Sequence, residues 1–209
     1  MEIEAFIEET GVNTRWIPNH FEAIDQAKGR IYLANDSHPL PMQWLNDLGA
    51  FLARRYEWTV EINDLEEAIE IAQQAAKLTS NGYPDLAVAL NNLGNILESQ
   101  YGRLGDPRSL SKAIKAARRA LELIQDVHPD RISGLTSLAN KLGRRYERTG
   151  DMTDLEEAIH RAALALEYAP NGHPGYSGNQ NSLGNMLQDQ YERTGDDTSF
   201  VGGMDGQEK

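Results

Sequence analysis

Residues Pro129 to His173 read PDRISGLTSLANKLGRRYERTGDMTDLEEAIHRAALALEYAPNGH, and the landmarks of this stretch return on both sides at one fixed step. His128-Pro129 recurs as His173-Pro174, as His38-Pro39 and, with tyrosine replacing histidine, as Tyr83-Pro84, always 45 residues apart. Leu138-Ala139-Asn140 is matched by Leu93-Gly94-Asn95, Leu183-Gly184-Asn185 and Leu48-Gly49-Ala50. Tyr56, Tyr101, Tyr146 and Tyr191 keep the same step, as do Ala23-Ile24, Ala68-Ile69, Ala113-Ile114 and Ala158-Ile159. A period of this length marks a repeat array, in which each unit buries its apolar face by stacking on its neighbours. The spacing inside each unit predicts two helices. Leu90, Leu93, Gly94, Leu97 and Tyr101 lie on one stripe of the first, and Leu155, Ala158, Ile159, Ala162 and Leu166 on one stripe of the second.

The fold class is therefore all-α, an α-α superhelix of antiparallel helix pairs. Residues 1–38 form a worn N-terminal unit or cap, in which Ile3, Phe6 and Ile7 replace the usual leucines and Gly11 the tyrosine. Full units span 39–83, 84–128 and 129–173, a half unit spans 174–200, and 201–209 is expected to be a disordered tail. Turn signals at Leu104-Gly105-Asp106, Thr149-Gly150-Asp151 and Thr194-Gly195-Asp196 end the first helices, since glycine just past the last turn is a common terminator. Asp64, Ser109 and Asp154 are expected to cap the second helices, with Glu67 and Glu157 completing capping boxes. Gly94 and its equivalents predict a close approach of helices, because a mid-helix glycine costs about 1 kcal/mol against alanine. After Ser199-Phe200, where a second helix is due, the chain turns glycine-rich, so Leu183, Met186, Leu187 and Tyr191 are expected to lack their cover. That face would be exposed and self-associate, or mark a piece of a longer array.

The 209 residues include no cysteine, which removes disulfides and thiolate chemistry. An acidic start without an apolar run argues against a leader peptide, and no stretch has the length of a membrane span. A cytoplasmic location and no membrane partner are expected. A net charge of −12 argues against nucleic acid as a partner. The charge is uneven: 84–128 is +1 and 129–173 is −1, whereas the other three segments are each −4. This is read first as the solvated face of long helices; the alternative is a weakly basic middle that prefers an acidic partner segment. His38, His128 and His173 share one turn position and read as structural, while His20 and His160 stand alone. No metal motif, phosphate-binding loop, nucleophile elbow or dinucleotide fingerprint occurs. No catalytic residue, cofactor or metal is assigned, and the chain is not expected to be an enzyme.

Leu93-Gly94 with Ala113 and Ala120, and Leu138-Ala139 with Ala158 and Ala165, resemble the signature of the tetratricopeptide repeat family. The usual unit of that family is about 34 residues, so these units are lengthened. Leu-Asn-Asn-Leu-Gly and His128-Pro129-Asp130 look like kinesin light chains. The Asp-Leu-Glu-Glu-Ala-Ile runs at Asp64 and Asp154 look still more like fungal arrays joined to NTPase or caspase-like CHAT domains. The resemblance implies a concave surface lined by first helices that holds an extended peptide. On that surface Asn46, Asn91, Asn95, Asn140, Asn181 and Asn185 would form an amide ladder able to donate to and accept from a peptide backbone. Arg144 would favour acidic character, with Arg145 and Arg148 adding charge nearby. The places that grip a C-terminal carboxylate in some relatives hold Asn91, Thr136, Val88, Ser133, Asn92 and Ser137, so that mode is not expected. The function implied is non-catalytic binding of a protein or peptide; the alternative is a sensor or spacer arm of a larger NTPase or CHAT-type enzyme.

Overall fold

A left-handed residue ends each first helix and an acidic turn opens the second. The computed structural model describes residues 17–33, 42–78, 85–125, 128, 130–169 and 175–195. These form helices α1 (Ile17–Leu33), α2 (Met42–Thr59), α3 (Ile62–Leu78), α4 (Asp85–Leu104), α5 (Pro107–Leu123), α6 (Asp130–Thr149), α7 (Met152–Tyr168) and α8 (Tyr176–Thr194). The tail, the second half of the last unit and the first half of the first lie outside the described residues. Gly105, Gly150 and Gly195 have φ of 66°, 69° and 66°, and each donates its N–H to the carbonyl of the repeat tyrosine four residues back at 2.7–2.8 Å. Val60 occupies the same place after α2 with φ 58°, and its N–H bonds Tyr56 at 2.8 Å.

The caps differ from expectation. Asp106 and Asp151, not Ser109 and Asp154, accept from the backbone N–H of Arg108 and Thr153, the second residues of α5 and α7, each at 3.0 Å. Asp64 and Asp154 lie three residues into the acidic turn, inside the helix, and reach back to the first helix of their own pair. The Arg55 guanidinium donates to both oxygens of Asp64 at 2.6 Å, and Arg145 grips Asp154 in the same two-pronged way. The carboxylates raise the pKa of both arginines, chiefly through these hydrogen bonds. In the unit between them the clasp is neutral, with Ser109 Oγ donating to Gln100 Oε1 at 2.6 Å. Arg145 is thus committed to holding α6 to α7 and adds no charge to a groove.

Helices pair as α2 with α3, α4 with α5 and α6 with α7, and α1 and α8 pack on the ends of this series. The first helices α2, α4, α6 and α8 also pack in succession, whereas second helices are bridged by long side chains, Lys28 to Glu67 and Arg118 to Glu157. The first helices therefore form the inner layer of a curved array. Between the layers lies a core of three clusters, in which Leu45, Leu52, Leu65, Leu135, Leu142 and Leu155 are 0% exposed, each contributing about 1.5–3 kcal/mol. Gly94 allows the close approach read from sequence: a Cβ there would meet the carbonyl of Ala113 at 3.3 Å. Two expectations change. Leu90 and Leu93 are only half-buried, and Met186 is covered, 9% exposed, against Gly143. Tyr191, at 51%, is open as expected.

Left-handed backbone costs a residue with a Cβ about 1–2 kcal/mol, and glycine returns part of this as entropy. Val60→Gly is expected to stabilise the protein by about 1 kcal/mol, read in a thermal melt as a Tm rise of about 2–4 °C. Gly150→Val should lower Tm. A fall in Tm for Val60→Gly would contradict this account.

Candidate binding groove

Along the inner layer, α4 and α6 leave a polar hollow of about 330 Å³ lined by Asn91, Asn95 and Glu98 from α4, Ser133, Thr136, Ser137, Asn140 and Lys141 from α6, and Asn179 from α8. The next seam opens a second hollow of about 290 Å³, where Asn140 and Arg144 face Ser182, Asn185 and Asp189 of α8. Asn140 borders both, which makes the two one track along the first helices. Asn91 Oδ1 and Thr136 Oγ1 are buried and find no hydrogen-bond partner among the described residues. Unmet polar atoms of this kind cost about 1–3 kcal/mol each.

The floor of the first hollow is a polar knot. Lys141 is 1% exposed, and its Nζ donates to Glu98 at 2.9 Å, Asn95 Oδ1 at 2.9 Å and Ser137 Oγ at 2.8 Å. Arg144 shares the same Glu98 carboxylate at 3.1 Å. Burial pushes the Lys141 pKa below the ordinary lysine value, Glu98 opposes that shift, and the Arg144 charge adds to it. Lys141 was not among the residues singled out from sequence, although a signal exists: the equivalent places in the other units hold Phe51, Ile96 and Met186. A lysine in an apolar column is a departure that motif reading overlooks and column reading finds.

Of the predicted ladder, Asn91, Asn95 and Asn140 come together in the first hollow, and Arg144 and Asn185 join Asn140 in the second. Asn95 is exposed but already accepts from Lys141 and Ser137. Arg144 is half engaged by Glu98, so its positive charge is partly spent within the protein. Asn46 is 8% exposed, and its Oδ1 has no hydrogen-bond partner among the described residues; it lies inside α2's packing surface. Asn181 is exposed on α8 and lines neither hollow. His128 serves its turn, its Nδ1 accepting from the N–H of Asp130 at 3.2 Å; His38 and His173 lie outside the described residues. Among the described residues no cluster of metal-ligating side chains occurs, and no helix is long and apolar enough to cross a membrane.

This architecture defines a fold class: an α-α solenoid of antiparallel helix pairs similar to tetratricopeptide-repeat solenoids. Residues 42–77 match the tetratricopeptide repeat family model. The fold is similar to that of the nearly identical TPR-like repeats of a Podosopora anserina protein named for kinesin light chain, at 17% identity and a TM-score of 0.58, covering 92% of this chain and 90% of that one. It is also similar to BtubC (BKLC) from P. vanneervenii, at 19% identity and a TM-score of 0.54, covering 85% of this chain and 67% of that one. No curated protein sequence matches the chain significantly.

Removing the counter-charge of a buried ion pair costs about 3–5 kcal/mol, so Glu98→Gln should destabilise the protein by about that much at neutral pH. The folded pKa of Lys141 lies below its unfolded value of 10.5, so the cost of burying the ammonium is present at low pH and fades as pH rises toward 10.5. In Glu98→Gln the lysine should titrate lower still, and the stability deficit against wild type, measured by urea unfolding, should shrink as pH rises. A deficit constant with pH would show that the charge on Lys141 is not the cause.

Proposed function

We propose that the chain is a non-catalytic protein-binding array whose inner surface holds an extended peptide segment of a partner across α4, α6 and α8. The observation that carries this reading is the pair of unmet groups, Asn91 Oδ1 and Thr136 Oγ1, on the wall of one hollow. A peptide backbone supplies both a donor and an acceptor, and a side-chain amide such as Asn140, exposed beside them, engages either. Lys141 and Arg144 set the electrostatics of this track. Both already share Glu98, so the track accepts a neutral or mildly acidic backbone rather than a run of carboxylates. The absence of a catalytic side-chain set among the readings of the sequence agrees with a scaffold role, and the fold itself serves many functions.

The test is selection of peptides from a displayed library on wild-type protein, followed by titration of the selected peptides against an Asn91→Ala, Asn140→Ala variant whose Tm is unchanged. Each lost hydrogen bond is worth about 0.5–1.5 kcal/mol, so the double variant should bind about tenfold more weakly. Selected peptides that bind both proteins alike would remove the inner track as the binding surface.

A further inference from the structure

The acid-seeking surface of this protein is on the opposite layer from the groove just described. Helix α5 carries Arg108, Lys112, Lys115, Arg118 and Arg119 against a single carboxylate, Glu122, in a chain of net charge −12. Arg108, Lys112, Lys115 and Arg119 fall at i, i+4, i+7 and i+11, which is one helical stripe. Arg108 is held by Asp106, Arg118 by Glu157 and Arg119 by Glu122. Lys112 and Lys115 are exposed and form no ion pair among the described residues.

Beside that stripe the seam between α3 and α5 opens into a groove of about 540 Å³ floored by Leu90, Leu93 and Leu97 and edged by Lys112, Lys115, Arg118 and Arg119 with the one carboxylate of Glu122. The repeat explains why its floor is bare. One seam further on a hollow of about 690 Å³ is also present, flanked by Arg118 and Arg161, but the leucines there are covered: Leu135 and Leu138 are 0% and 1% exposed and packed with Leu121. Forty-five residues earlier the positions of Leu121, Arg118 and Arg161 hold Ala76, Gln73 and Ala116, too small to roof the leucines. The outer edge differs in the same way: Lys28 pairs with Glu67 at 2.7 Å and Arg118 pairs with Glu157 across 39 residues, whereas the equivalent residues here are Gln73 and Lys112.

We propose that this groove is a docking site for an acidic amphipathic helix of a partner protein, its leucine-type side chains on Leu90 and Leu93 and its carboxylates on Lys112 and Lys115. Charge complementarity selects the occupant, because this positive rim belongs to an otherwise acidic molecule. The apolar floor favours a protein helix over a bare polyanion, since half-buried leucines offer nothing to a phosphate backbone.

The probe is a fluorescein-labelled peptide of fourteen residues, with Leu at helical i, i+3, i+4, i+7 and i+11 spacing and Glu elsewhere, titrated by anisotropy against the whole chain at low salt. Saturable binding should weaken at least tenfold in Lys112→Glu, Lys115→Glu, both being exposed positions that leave folding intact, with Tm as the control. Ala76→Leu, which restores the side chain found in the next unit, should weaken it as well. The Asn91→Ala, Asn140→Ala variant should bind as wild type, which separates this site from the inner track. No saturable binding, equal binding by the charge-reversed protein, or equal binding of a peptide with Ser for Leu overturns the proposal. The last outcome would reveal a general polyanion surface instead.

Discussion

Everything in this array hangs on how closely two helix backbones can approach within a unit. A small residue on the first helix faces alanines on the second. A methyl at Gly49 would lie 3.6 Å from the carbonyl of Ala68, and one at Gly94 would lie 3.3 Å from that of Ala113. Ala68, Ala113 and Ala158 are each 0% exposed. This spacing brings the clasp into range, so that position 55 reaches 64, 100 reaches 109 and 145 reaches 154. The interior tolerates a change from an ion pair to a neutral bond there because the backbone contact already fixes the geometry. Ala139 shows that one methyl is the upper limit of the column.

The periodic and local features were legible in the sequence. The 45-residue step, the helix pairs and the glycine stops follow from chemistry confined to a few neighbouring residues, and that chemistry is written again in each unit. Contacts between helices were not legible. Asp154 looks like a cap because the residues around it suit one, yet Arg145, a turn away in the preceding helix, claims its carboxylate. Leu90 and Leu93 look buried because they sit on an apolar stripe, but their exposure is decided by Gln73, Ala76 and Ala116 on other helices. Of the asparagine ladder, the part on α4 and α6 converges, and Asn46 turns inward. Lys141 escaped notice because nothing beside it in the sequence announces that it is buried; its counter-ion lies 43 residues away.

Charge is divided between the two layers according to whether it is already spoken for. On the inner side Lys141 and Arg144 converge on one carboxylate, which leaves a polar track with little net field. On the outer side α5 exposes cations without neighbours to match them. The two surfaces thus differ in what they would attract at a distance, although both belong to the same pair of central units.

The uneven outer edge also has a mechanical meaning. Lys28 with Glu67 and Arg118 with Glu157 act as struts across two seams, and exposed pairs of this kind are worth about 0.2–1 kcal/mol. Gln73 and Lys112 place no such strut across the seam between them. That seam is held instead from its inner side, where α4 packs against both α2 and α3. A helix seated in the outer groove would supply the brace that the side chains there do not.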